Sequence, residues 1–181
     1  MSNPVSVEIY TSSHRVLGRV TPGSAGLYGL MNDRTRSSIE IEGAHLTRLH
    51  QPARLVARYP KLWLNKRSLV AVLVSNRGEL GSVSMTRHGY STVVQHWVHL
   101  MLPGYELRGI LEAAGRFDLS TIFVEGEAVF SPLYNAALQS NLYPNIDANS
   151  PAILFNAAGI TAICPLRRED IPESSSDSGA A

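Results

Sequence analysis

Cysteine is nearly absent from this chain: Cys164 is the only one among 181 residues. A single thiol excludes an intramolecular disulfide and any multi-thiolate metal site. Long apolar runs are missing as well. The longest, Leu69–Val74, has six residues, far short of the ~20 that a helix needs to cross a bilayer. The opening Met-Ser-Asn-Pro-Val-Ser-Val-Glu carries neither the basic stretch nor the apolar core of a secretory signal. Together these absences lead to the expectation of a soluble, cytoplasmic protein with no membrane association. With 44% hydrophobic and 17% charged residues, the composition is that of a folded globular chain, which excludes wholesale disorder.

A net charge of +1 hides a division. Residues 1–90 hold 12 Lys/Arg against 5 Asp/Glu, a balance of +7; residues 91–181 hold 4 against 10, a balance of −6. The same division separates two copies of one pattern, 5–74 and 94–165. Val7-Glu8-Ile9-Tyr10 followed by His14 to Val20 corresponds to Val98-His99-Leu100-Met101 followed by Tyr105 to Leu111. In each copy an alternating strand, a short polar turn and a second strand predict a hairpin. Gly18 and Gly109, 91 positions apart, fall inside the second strand, where glycine marks a bulge or sharp bend. After a Gly-rich break, Leu27, Leu30 and Met31 are spaced i, i+3, i+4, as are Leu119, Ile122 and Phe123. That spacing sets three apolar side chains on one side of a helical turn. A third strand follows, with Ile41, Ala44 and Leu46 matching Leu133, Ala136 and Leu138, now 92 apart. The pattern ends with Leu62-Trp63-Leu64-Asn65 and Leu69 to Val72 against Ile153-Leu154-Phe155-Asn156 and Ile160 to Ile163. The asparagine between two apolar stretches predicts a tight turn joining short strands.

The expected fold is therefore mainly β: two tandem small β-barrel-like repeats of the SH3/Sm-like kind, each with one short helical turn. The expected boundaries are 1–74 for the first repeat, 75–92 for a polar linker, 93–168 for the second repeat and 169–181 for a disordered tail rich in Ser, Asp, Gly and Ala.

Leu30-Met31-Asn32-Asp33 with Leu64-Asn65-Lys66-Arg67-Ser68-Leu69, and Arg116-Phe117-Asp118-Leu119-Ser120 with the segment from Leu154 to Thr161, give each copy a likeness to a bacterial small β-domain family. That family has a Gly-centred hairpin, a short helical turn and a closing Asn-x-x-x-Ile strand pair, and no assigned activity. More distantly, Val5 to Ile9 with Val16 to Val20 is similar to the first motif of Sm-like RNA-binding barrels. Asn65-Lys66-Arg67-Ser68-Leu69 is similar to the closing strand of the bacterial RNA chaperone in that superfamily. This second resemblance implies RNA contact through Lys66 and Arg67. The second copy has Ala157-Ala158 there, which confines the implication to the first.

Other candidates for chemistry lead to structural roles. His96 and His99 are three apart on a strand and point to opposite faces, which is poor geometry for one metal; His88 completes the histidine group. No Gly-x-Ser-x-Gly elbow occurs, and Gly23-x-x-Gly26 lacks the context of a phosphate loop. Cys164, in an apolar strand beside Pro165, reads as a buried, inert thiol, and Glu125-Gly126-Glu127 as a solvated turn. Neither a catalytic residue, a metal site nor a cofactor is expected. The basic residues of the first copy, with aromatics among them, are the remaining signal, because arginine and aromatic side chains can neutralise phosphates and stack on bases. The expected function is a non-enzymatic interaction or assembly module built from two diverged repeats of opposite charge, with a protein partner or self-association. The alternative is Sm-like nucleic-acid binding through the basic first repeat. In either case the candidate contact residues are Arg15, Arg19, Arg34, Arg36, Lys66, Arg67 and Trp63.

Overall fold

Alternating apolar residues carry most of the chain into strands, and a computed structural model describes residues 3–82, 93–114 and 129–167. The first copy contributes β1 (Val5–Thr11), β2 (His14–Val20), the helix α1 (Gly26–Asn32), β3 (Ser38–Arg48), β4 (Gln51–Asn65) and β5 (Leu69–Val74). The second contributes β6 (Val93–Leu102), β7 (Tyr105–Ala114), β8 (Phe130–Ser140), β9 (Asp147–Asn156) and β10 (Ala162–Pro165). The ten strands form one antiparallel sheet in the order β10-β6-β7-β8-β9-β5-β1-β2-β3-β4, and it does not close on itself. The protein is thus mainly β. Leu27 and Met31 of α1 are buried with Leu30 packed beside them, as the helical spacing predicts. The second copy's counterpart at Leu119, Ile122 and Phe123 lies outside the described residues, as do His88, Glu125 to Glu127 and the 169–181 tail.

Strand pairing reproduces the repeat residue by residue. Val7 opposite Gly18 becomes Val98 opposite Gly109, and Ile39 opposite Leu64 becomes Ser131 opposite Phe155. Both β2–β3 and β7–β8 break register at the glycine, between Leu17 and Arg19 and between Arg108 and Ile110. A side chain cannot stand at either place. A Cβ on Gly18 would collide with the Ile41 side chain, and one on Gly109 would lie 2.9 Å from the Leu133 and Ala136 side chains and the Tyr134 carbonyl. Both copies carry the same bulge, so the one-residue slip from 91 to 92 falls after it, in the connection to the third strand. The asparagine turns also coincide. Asn65 Oδ1 accepts from Arg67 N at 3.0 Å and Asn156 Oδ1 from Ala158 N at 3.1 Å, each opening a 3₁₀ turn.

The repeats meet edge to edge at β5 and β9. Ala71, Val72, Leu73 and Val74 stand opposite Phe155, Leu154, Ile153 and Ala152. Two cores lie on opposite faces of this junction. Val72, Val74, Ala152 and Leu154 face a core built mainly from the first repeat, while Ala71, Leu73, Ile153 and Phe155 face a core built mainly from the second. Burial on both faces is why Leu69–Val74 is continuously apolar rather than alternating. Side-chain bonds tie the repeats further, among them Ser150 Oγ donating to the Val74 carbonyl at 2.8 Å, Asn156 Nδ2 to the Leu69 carbonyl at 3.1 Å, Tyr105 Oη to the Thr11 carbonyl at 2.6 Å and Asn32 Nδ2 to the Phe130 carbonyl at 2.9 Å. Beyond β5, Asn76 and Glu79 form a capping box over a 3₁₀ turn at Arg77–Leu80, whose Leu80 is buried in the first core. Among the described residues, no helix is long and apolar enough to cross a membrane.

Candidate interaction surface

The basic residues of the first copy differ in burial and in partners. Lys66, the first residue of the turn after β4, is only 6% exposed. Its Nζ donates to the carbonyls of Leu30 at 2.6 Å, in the last turn of α1, and Asp33 at 2.8 Å, just past its end. An α-helix leaves its final carbonyls without partners inside the helix, and here the ammonium adds a short bond to Leu30 and to Asp33, whose other donors, Asp33 N and Arg36 N, both stand at 3.4 Å. Burial lowers the Lys66 pKa, and neighbouring Arg36 acts in the same direction against the opposing charge of Asp33. The second repeat keeps the backbone bond of this turn, Lys66 N to Ser37 O becoming Ala157 N to Val129 O, both 2.9 Å. In the first copy Lys66 thus serves the end of α1.

Arg15 is half-buried and pairs through Nε with Glu8 at 2.5 Å, and Glu8 also accepts from Tyr10 Oη at 2.5 Å. Burial, reinforced by Glu8, holds the Tyr10 phenol well above its ordinary range. Arg36 pairs with Asp33 at 3.5 Å. Thr35 donates to Asp33 from its hydroxyl at 2.6 Å and its backbone N–H at 2.9 Å, keeping that carboxyl below the usual carboxylate range. Arg19, Arg34 and Arg67 are exposed on different elements. Of the seven residues singled out from the sequence, Trp63 is the one that marks a continuous feature, since it is 60% exposed near the end of β4.

That feature is the edge of the sheet. β4 has fifteen residues, pairs with β3 on one side, and is the last strand on the other. Leu55, Val56, Tyr59 and Trp63 are all exposed along it, with Arg54 before them and Arg58 and Lys61 between them. Lys61 pairs with Glu40 across the β3–β4 ladder at 2.5 Å, opposite the face that packs Leu62 and Leu64 on the first core. A long edge strand with exposed apolar side chains offers free backbone donors and acceptors to another strand, which proteins ordinarily avoid by covering or charging the edge. Leu55 and Val56 escape a sequence reading because Pro52 and Pro60 interrupt the pattern, whereas Tyr59 shows only as an aromatic among the basic residues. The available signal is the match of Leu62-Trp63-Leu64 to Ile153-Leu154-Phe155, a wholly buried segment of β9.

Arg77 was missed for a similar reason, since it lies in a stretch read as linker. Its guanidinium bonds both carboxylate oxygens of Glu112 at 2.9 and 3.0 Å and lies 3.7 Å above the Tyr134 ring, joining the first copy to the second. Among the described residues, no three His, Cys, Asp or Glu side chains gather as metal ligands would. The chain matches no protein-family model, no curated protein and no solved structure.

Proposed function

We propose that this protein is a non-enzymatic interaction and assembly module: two small β-barrel-like repeats of opposite charge, joined edge to edge, that work in the cytoplasm by offering an open sheet edge to a partner strand. The observation that carries this reading is the exposed apolar length of β4, with Leu55, Val56, Tyr59 and Trp63 at 41, 42, 41 and 60% exposure. Main-chain pairing along such an edge supplies affinity, and the alternate side chains supply selectivity. The positive balance of the first repeat favours a partner surface of negative sign.

Molar mass by light scattering at low and high salt tests the reading. Assembly above monomer mass at low salt is the expected result, and a strict monomer at both salts contradicts it. The same preparations are put to a single-stranded RNA and DNA panel by filter binding. Salt-dependent binding that Arg67→Ala and Trp63→Ala abolish would transfer the β4 edge to the Sm-like reading, in which basic and aromatic side chains hold nucleic acid.

A further inference from the structure

Resting on the assembly reading, we infer that the partner strand comes from a second copy of this chain, whose β10 adds to β4 in the register that β5 and β9 adopt within one chain. The repeat makes this geometry definite. The junction joins the fifth strand of the first repeat to the fourth strand of the second. The two ends of the sheet are the fourth strand of the first repeat, β4, and the fifth strand of the second, β10. The edges left open are thus the counterparts of the edges already joined. Such a contact is heterologous, head to tail, and each added chain regenerates the same two ends.

Carrying the junction pairs Ala71–Phe155, Val72–Leu154, Leu73–Ile153 and Val74–Ala152 across the 91-residue repeat fixes the contacts. Ala162 of one chain stands opposite Leu64 of the next, Ile163 opposite Trp63, Cys164 opposite Leu62, and Pro165 opposite Lys61. Side-chain faces agree with this register. Ile153 and Phe155 line the second core, and their counterparts Leu62 and Leu64 pack on the first. Leu69 and Val72 line the first core, and their counterparts Ile160 and Ile163 pack on the second. What differs is cover. Leu154 reaches into the other repeat's core and is 0% exposed, whereas its counterpart Trp63 is 60% exposed. Leu73 is buried at the junction, whereas its counterpart Cys164 is exposed, contrary to the burial its apolar strand predicts, because β10 is the last strand of the sheet. Pro151 ends the paired run of β9 one residue before Ala152, and Pro60 stands at the same place before Lys61. Asn156 donates across the junction to the Leu69 carbonyl; Asn65, exposed at the end of β4, is set to donate to the Ile160 carbonyl of the next chain. The +7 and −6 balances of residues 1–90 and 91–181 attract in a head-to-tail arrangement and repel in a head-to-head one.

The lone native cysteine supplies the test. Opposed residues of antiparallel strands bring their Cα atoms to about 4.5–5.5 Å, within disulfide range. Leu62→Cys under mild oxidation is expected to give a ladder of covalent oligomers on a non-reducing gel, since every chain carries one Cys at each end of the contact. Three results would overturn the inference: no cross-link in a preparation that scattering shows to be assembled, a cross-link that survives Cys164→Ser, which would mean β4 on β4, or a monomer closed on itself. The first of these leaves the assembly reading standing, while a monomer by scattering removes both. Because Leu62 supports the core, Trp63→Asp serves as the second variant. Its site is exposed, so the fold is retained by circular dichroism, while self-association weakens by about 100-fold as an unpaired charge replaces a buried ring. Unchanged association in Trp63→Asp would equally refute the pairing.

Discussion

Replacing Lys66 by methionine keeps the aliphatic stem packed under α1 and removes only the ammonium. Two bonds are lost, at 2.6 Å to the Leu30 carbonyl and 2.8 Å to the Asp33 carbonyl. Hydrogen bonds from a charged donor contribute about 1.5–3 kcal/mol each, and each carbonyl then keeps only a longer backbone donor, Asp33 N on Leu30 and Arg36 N on Asp33, both at 3.4 Å. Against this, methionine relieves the desolvation of a side chain that is 6% exposed. The balance is a destabilisation of about 2–3 kcal/mol, read as a lower urea midpoint with an unchanged slope. Lys66→Ala also loses the stem and is expected to cost about 1–2 kcal/mol more. The pH dependence has a definite sign. Because burial lowers the Lys66 pKa below 10.5, the unfolded chain holds this proton more tightly than the folded one. Wild-type stability relative to Lys66→Met therefore rises as pH climbs through the interval just below 10.5. A neutral amine still donates two bonds, so the contacts survive the titration. A Met variant within about 0.5 kcal/mol of wild type, the range of ordinary surface substitutions, would refute Lys66 as the cap of α1.

Gly18→Ala and Gly109→Ala are each expected to cost about 1–3 kcal/mol by overpacking, with unfolding midpoints shifted alike because the bulges are equivalent; a neutral result at both would contradict the shared bend. Tyr105→Phe removes the bond to the Thr11 carbonyl at 2.6 Å and should cost about 1–2 kcal/mol, measured by chemical denaturation. The Tyr10 and Tyr105 phenols are both raised above 10.0, chiefly by burial, so the stability they contribute is complete below pH 10 and is lost as pH rises beyond it. Tyr10→Phe and Tyr105→Phe should flatten that alkaline loss in pH-dependent unfolding, and an unaltered slope in both would show that neither phenol is responsible. Arg77→Ala breaks the ion pair to Glu112 and the contact on the Tyr134 ring; about 1 kcal/mol of destabilisation is expected, smaller at high salt by thermal melting.

The sequence makes local features legible and hides the pairings between repeats. Gly18 and Gly109 stand out because a bulge requires a missing side chain, and Asn65 and Asn156 because their turns use the asparagine side chain itself. Leu27, Leu30 and Met31 announce α1 by spacing alone. The direction of Lys66 is invisible, because its acceptors lie more than thirty residues away in sequence. β4 is hidden by Pro52 and Pro60, which a strand tolerates at an edge. The β5–β9 junction shows itself only indirectly, in two short apolar runs that lack alternation. Charge division between the repeats is plain, but the grouping of its arginines is not: Arg15 and Arg36 have local carboxylates, and Trp63 lies on the open edge.

The central claim, that the β5–β9 junction is repeated between chains by β10 and β4, is tested most directly by amide hydrogen exchange as protein concentration is raised. The expected result is slower exchange confined to Lys61 to Leu64 and Ala162 to Cys164, approaching the protection of Ala152 to Phe155 within the chain. Exchange at those two segments that does not change with concentration, while β5 and β9 stay protected, would contradict it.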